Sequence, residues 1–210
     1  YNLSANETVR YVQPSASAIS LNRILGVNGS TIAGNIESNG QVILINPNGL
    51  VFTDTAVLNV GGIIASGLDM SPSDFMNGDY IFNELTFDGG DSGSSGRVIN
   101  RGLINASLGG NVALIGKQVI NEGLIEANLG SVTLAAGKQA VLTFDASGVL
   151  GVKVSEAILQ EELGVDPALI NSGEINANGG RVLLTASTSQ DVFSQAVNSG
   201  LEQATSVVVH

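Results

Sequence analysis

The stretch Asn39-Gly40-Gln41-Val42-Ile43-Leu44-Ile45-Asn46-Pro47-Asn48-Gly49-Leu50-Val51-Phe52 joins two short apolar runs through an Asn-Pro-Asn-Gly corner, and its reading decides the fold. Residues 42–45 are too few and too β-branched for a helix, and Asn-Gly before them with Asn-Pro after bounds them as a strand. Pro47 pre-sets the φ that the second residue of a turn needs. Asn46 and Asn48 can bond their own backbone, and Gly49 accepts positive φ. No loop separates the two runs, so the chain turns sharply and resumes a strand at Leu50.

Working outward, the same plan recurs after 21 residues and again after a further 50. Val98-Ile99-Asn100-Arg101-Gly102-Leu103-Ile104-Asn105-Ala106 aligns with Val119-Ile120-Asn121-Glu122-Gly123-Leu124-Ile125-Glu126-Ala127, and again with Leu169-Ile170-Asn171-Ser172-Gly173-Glu174-Ile175-Asn176-Ala177. A fainter copy is Ala196-Val197-Asn198-Ser199-Gly200-Leu201. Each full copy is followed by a glycine and a second apolar run, as in Val112-Ala113-Leu114-Ile115. The opening stretch has the same order, with Ile36-Glu37-Ser38 before Gly40-Gln41-Val42 matching Ile175-Asn176-Ala177 before Gly180-Arg181-Val182.

Repeats of this length, with short strands and no helix, are coils of a solenoid. Ile and Ala at 104/106, 125/127 and 175/177 point inward, and Asn105, Glu126 and Asn176 point out. Stacking places Asn100, Asn121, Asn171 and Asn198 above one another at one corner, where their amides can bond along the stack. The glycines two residues on, 102, 123, 173 and 200, are expected to supply positive φ at the bend.

Two segments break the period and are expected to leave the solenoid as excursions from a single unit spanning 1–210. Residues 70–96 read as a hairpin on the flank, with Tyr80-Ile81-Phe82 against Leu85-Thr86-Phe87, ending in a Gly- and Ser-rich loop. Within 138–168, residues 141–144 and 149–154 read as a β-hairpin across Asp145-Ala146-Ser147-Gly148, and 155–164 as a short capped helix. To the other side, 7–12 and 19–25 read as strands around the turn-rich Pro14-Ser15-Ala16-Ser17-Ala18.

Composition agrees with an all-β solenoid. Hydrophobic residues make up 43% of the 210, aromatics only 4%, and 27 glycines would spoil long helices. Charged residues are 13%, against about 25% in ordinary domains. With 8 Lys and Arg against 19 Asp and Glu, the net charge of −11 argues against nucleic acid or an anionic membrane as partner. No run reaches the roughly 20 apolar residues of a membrane helix, so no membrane insertion is expected. Cysteine is absent, and the sole histidine is His210. Disulfides, thiolate metal sites and histidine-based catalysis therefore lack their material, and no cofactor is expected.

Asp88 and Asp91, in the excursion loop, could offer hard oxygen ligands to calcium, although two carboxylates are few for that ion and a solvated linker is the plainer reading. Asp54, Asp69, Asp74 and Asp79 are scattered through turns without an aromatic platform, so no catalytic residues and no carbohydrate-cleaving pair are assigned. Asn22-Arg23 forms a possible secondary motif. Arg23 could hold a carboxylate, and a surface pair with Glu37 is the ordinary expectation.

The Asn39 to Gly49 stretch resembles the signature of the secretion domain of two-partner secretion exoproteins, the filamentous haemagglutinin and high-molecular-weight adhesin family. Asn6-Glu7-Thr8-Val9, Pro14-Ser15-Ala16-Ser17-Ala18, Leu21-Asn22-Arg23-Ile24, Gly61-Gly62-Ile63-Ile64-Ala65-Ser66 and Leu68-Asp69-Met70-Ser71 extend the resemblance in order. It implies a right-handed parallel β-helix with extra-helical hairpins. It also implies a place at the N-terminus of a large adhesin, cytolysin or contact-dependent toxin secreted to, or displayed on, the surface of a Gram-negative bacterium. The implied partner is an outer-membrane barrel transporter of the two-partner type, which recognises the domain in the periplasm through its polypeptide-transport-associated domains. The exoprotein then crosses unfolded, and the domain templates β-helix growth outside. Family members usually carry an N-terminal cap ahead of the position of Tyr1. Without it, residues 1–20 are expected to fray or to associate edge to edge. Asn46, Pro47, Asn48 and Gly49 are expected chiefly to stabilise the turn, with recognition following from the fold. The alternatives are an adhesive β-helix that binds glycans directly and, more remotely, a polysaccharide-active enzyme.

Overall fold

Each turn of the chain lays one short strand in each of three parallel sheets. The computed structural model describes residues 1–87, 90–91, 95–145, 148–155, 168–186 and 207–209. The first coil contributes β1 (Thr8–Tyr11), β2 (Ile19–Arg23) and β3 (Ser30–Ile32), and the second β4 (Asn35–Ser38), β5 (Gln41–Ile45) and β6 (Leu50–Phe52). The third opens with β7 (Val57–Val60) and β8 (Gly62–Ser66), leaves the solenoid through α1 (Pro72–Asn77), β9 (Tyr80–Asn83), β10 (Thr86–Phe87) and β11 (Gly90–Asp91), and returns as β12 (Arg97–Asn100). The fourth is β13 (Leu103–Ala106), β14 (Asn111–Gly116) and β15 (Gln118–Asn121). The fifth holds β16 (Leu124–Glu126) and β17 (Ser131–Ala136), departs through β18 (Gln139–Asp145) and β19 (Gly148–Ser155), and closes with β20 (Leu169–Asn171). Then come β21 (Glu174–Asn176), β22 (Arg181–Ala186) and β23 (Val207–Val209).

The sheets run β1-β4-β7-β13-β16-β21, β2-β5-β8-β14-β17-β22-β23 and β3-β6-β12-β15-β20, every neighbour parallel. This is a parallel β-helix. Its register is the one the repeats imply, with Val98 opposite Val119 and Val119 opposite Leu169. Ile36, Leu58, Ile104, Ile125 and Ile175 form one inward column, and Val42, Ile63, Val112, Val132 and Val182 another. All of these are buried in the central core.

The sheets differ in what covers their outer faces. In the first, β13 alternates between half-buried and buried, as a strand with one wet face should. In the second, β8 and β17 are buried at every position. Its outward residues Ile43, Ile45, Ile64, Ala113, Ile115 and Ala135 join a separate core with Leu68, Met70, Phe82, Ala140 and Leu142. That explains the unbroken apolar runs at 42–45 and 112–115, because strands covered on both faces have no polar alternate. Left bare, this face would form a larger apolar patch than soluble monomers tolerate.

The covering layer corrects two sequence expectations. Tyr80-Ile81-Phe82 does not form a hairpin with Leu85-Thr86-Phe87. Instead β9 pairs antiparallel with β18, placing Phe82 opposite Ala140, and β18 pairs with β19 in the hairpin read from the sequence. The two excursions thus meet in one three-stranded sheet, and among the described residues β10 pairs with β11. The physical reason lies in what holds Glu84, the residue that follows β9. Glu84 is held between Lys117 and Lys138, its Oε2 3.5 Å from Lys138 Nζ, and its N–H donates to the Lys138 carbonyl. The segment 70–96 also contains a helix that the sequence reading omitted. Ser71 caps α1 by accepting from Asp74 N–H at 3.0 Å, Pro72 opens the first turn, and Gly78 closes it at φ 77°. The short helix expected over 155–164 lies outside the described residues from 156 onward.

A third correction concerns the repeat glycines. Gly102, Gly123 and Gly173 are not left-handed. A Cβ on Gly123 would fall on the Gly102 carbonyl, and one on Gly173 on the Gly123 carbonyl. Glycine is needed there for close approach of stacked backbones, while Gly200 lies outside the described residues.

Candidate recognition corner

Asn46 directly follows β5, with its side chain fully buried. Its carbonyl accepts from Gly49 N–H at 2.9 Å, closing a four-residue turn around Pro47 and Asn48. Its Oδ1 accepts from Asn48 N–H at 3.0 Å, and its Nδ2 donates to the Asn28 carbonyl at 3.0 Å and to Ser30 Oγ at 2.9 Å. Asn48 Nδ2 donates to the Gly26 carbonyl at 2.8 Å, and Ser30 N–H donates to the Gly49 carbonyl at 2.9 Å. Those bonds tie the corner to the coil before it. Toward the coil after it, Asn46 N–H donates to the Ser66 carbonyl, Gly96 N–H to the Pro47 carbonyl, and Ser95 Oγ to the Asn48 carbonyl. Gly49 lies at φ 105°, and a Cβ there would stand 2.6 Å from Ser95 Oγ.

The corner thus grips three coils, including the point at which the first excursion returns. Asn46, Pro47 and Gly49 are buried and Asn48 is half-buried. What the corner does expose is the loop it grips. Leu25 and Val27, on either side of the Gly26 carbonyl, are 76% and 87% exposed. The strand read over 19–25 ends at Arg23 in the structure, so Leu25 falls outside it.

Asn22 and Arg23 sit at the end of β2. Asn22 Oδ1 accepts from Tyr11 Oη–H at 3.1 Å, and its Nδ2 donates to the Ile43 carbonyl at 3.3 Å. Arg23 does not pair with Glu37. It grips Asp69 with two bonds, Nε to Oδ1 at 2.6 Å and Nη2 to Oδ2 at 2.5 Å, and these bonds hold its guanidinium firmly charged. Register decides the partners. Arg10 stands directly opposite Glu37 across the β1–β4 ladder and takes it, whereas Arg23 faces the exit of β8 through Ile45 and Ser66. Lysine cannot reproduce the two-pronged grip. Arg23→Lys is therefore expected to cost about 1 kcal/mol, since the pair is partly exposed. An unchanged urea midpoint would show that the second prong contributes nothing.

The other predicted positions form a separate feature. Asn100 Nδ2 donates to Asn121 Oδ1 at 2.8 Å and Asn121 Nδ2 to Asn171 Oδ1 at 2.7 Å, with all three residues fully buried. Asn198 lies outside the described residues, as does Asp88. Asp91 is in β11. Among the described residues no three His, Cys, Asp or Glu gather as a metal site, and no helix is long and apolar enough to cross a membrane.

A family model described as the TPS secretion domain matches residues 1–210. The crystal structure of the HMW1 secretion domain from Haemophilus influenzae superposes with a TM-score of 0.74 at 31% identity, covering 89% of this chain and 46% of that one. Two heme/hemopexin-binding proteins of Haemophilus influenzae are similar in sequence. One is 34% identical over 88 residues, covering 42% of this chain and 10% of its own length. The other, from strain Rd, is 35% identical over 109 residues, covering 50% of this chain and 12% of its own length. The chain thus spans about a tenth of the curated relatives it matches.

Proposed function

The chain belongs to the TPS secretion domain family, and we propose that it is the N-terminal secretion domain of a large exoprotein, recognised in the periplasm by the polypeptide-transport-associated domains of its outer-membrane barrel transporter. Exoproteins with this domain are exported to the surface or surroundings of Gram-negative bacteria. The observation that carries the reading is the family match over residues 1–210. The physics of the fold supports it. Contacts in a solenoid run between neighbouring coils, so such a chain can cross a pore unfolded and rebuild coil by coil. The absence of cysteine removes a cross-linking hazard in an oxidising compartment. Outside the cell, the parallel edge at the last coil would template the passenger's first strands.

The curated relatives are named for binding heme and hemopexin. We place the passenger's own activity outside residues 1–210, and assign this chain no catalytic step, cofactor or metal. Calcium at Asp88 and Asp91 is not part of the proposal. A second reading, direct adhesion to glycans, has one feature in its favour. An open groove of about 400 Å³ is lined by Asn59, Asn105, Ser107 and Asn128, amides and a hydroxyl suited to sugar hydroxyls. A pull-down separates the two. Capture of the purified chain by the transporter's periplasmic domains is the expected result. Retention on a glycan array without such capture would overturn the secretion reading and favour adhesion.

A further inference from the structure

The cover over the second sheet is assembled from two pieces that lie far apart in the chain. Among the described residues β9 has one ladder partner, β18, together with an isolated bridge between Asn83 and Asp69. At the end of that ladder Gln139 Nε2 donates to Asn83 Oδ1 at 2.7 Å across 56 residues of sequence. A lone four-residue strand does not hold its place on a surface, so the first excursion settles only when the second pairs with it. Between them they bury Ile43 and Ile45 of the second coil, Ile64 of the third and Ile115 of the fourth, against Phe82 from one excursion and Ala140 and Leu142 from the other. Baring four isoleucines on one face would forfeit a stabilisation comparable with the whole net stability of an ordinary domain.

Glu84 adds a charged contact at the same join. Its side chain, 11% exposed, lies against Lys117 Nζ from the turn after β14, and its Oε2 is 3.5 Å from the Nζ of Lys138, which leads into β18. The Lys117 side chain is 5% exposed. Charges this dry are costly to hold unpaired, so the contact is complete only when the fourth coil and the start of β18 are both in place.

We propose that β9, β18 and Glu84 form a folding interlock: the second to fifth coils hold their stack only when both excursions are on the same side of the pore. The inference rests on the secretion reading and says how a half-threaded chain avoids folding. With residues 70–83 on one side and 139–155 on the other, the cover forms on neither. The coils then stay open to passage until both excursions have crossed, whichever end leads.

The test is native-state hydrogen exchange on purified chain 1–210 in rising, sub-denaturing urea, which separates segments that open alone from segments that open together. The interlock predicts that the hydrogen-bonded amides of β5, β14 and β18 share one opening, with protection agreeing within about fivefold. Leu142→Ala, confined to the cover, is expected to lower protection in β5 and β14 as much as in β18, by roughly tenfold or more. Glu84→Gln keeps the shape and removes the charge, and is expected to lower all three by about tenfold. If Leu142→Ala does not fold, the exchange of the parent decides. A gap wider than about fivefold between β18 and the two solenoid strands in the parent would show a lid that opens by itself and overturn the interlock. So would a loss confined to β18 in either variant. No transporter enters this measurement, so the interlock can fail while the secretion reading stands, and that reading is tested separately by the pull-down.

Discussion

Gly130→Ala is expected to lower the unfolding free energy by about 4 kcal/mol, or to prevent folding altogether. Gly61, Gly110, Gly130 and Gly180 stack at the corner between the first and second sheets. A Cβ on Gly61 would stand 2.6 Å from the Gly40 carbonyl oxygen, and one on Gly130 would fall on the Gly110 carbonyl. The backbone cannot move aside, because Gly130 N–H donates to Ala127 and Arg181 N–H donates to the Gly130 carbonyl. None of these four glycines is left-handed, so crowding alone makes the requirement. Gly109 is the internal control. It lies at φ 78° with nothing within 4 Å of an added Cβ. Alanine there should cost only the 1–2 kcal/mol or so of the left-handed backbone. Urea unfolding of the two variants checks this, and a Gly130→Ala cost no greater than that of Gly109→Ala would refute the crowding account.

Asn121→Ala is expected to cost about 3 kcal/mol, because it strips a partner from both neighbours in a fully dry ladder. Asn171 Oδ1 loses its donor from Asn121, and Asn100 Nδ2 is left with a 3.3 Å contact to the Gly102 carbonyl. The outward pair Asn59–Asn105, with an amide bond of 3.1 Å, is made of the same groups in water. Asn105→Ala should therefore change stability by less than about 0.5 kcal/mol. Equal effects at 121 and 105 would mean that burial does not set the value of the ladder.

Features that depend on neighbouring coils were legible in the sequence, because the repeat itself records the register. The opposition of Val98 to Val119 and of Val119 to Leu169, the inward Ile and Ala, and the turn at Asn46 to Gly49 all follow from period and turn chemistry. So does the pairing of β18 with β19, read from the sequence as a hairpin across Asp145-Ala146-Ser147-Gly148. What the sequence hid was of two kinds. The pairing of β9 with β18 brings together segments from separate interruptions of the repeat, and neither segment alone records the other. The partner of Arg23 likewise depends on where β8 exits. The second kind was present but misread. Ser71-Pro72 with Gly78 is a helix start and stop, and the repeat glycines signalled crowding where a bend was expected. The candidate site was half legible. Its four-residue corner stood out, while the bonds from Asn46 and Asn48 to the Asn28 and Gly26 carbonyls of the preceding coil did not.

Residues 1–210 are proposed to direct export through a dedicated transporter. The most direct measurement fuses chain 1–210, behind a cleavable signal peptide, to a periplasmic reporter enzyme in cells with and without the cognate barrel transporter. The account predicts reporter activity in the medium only when both the chain and the transporter are present. Reporter left in the periplasm with both present, or released equally without the transporter, would contradict it.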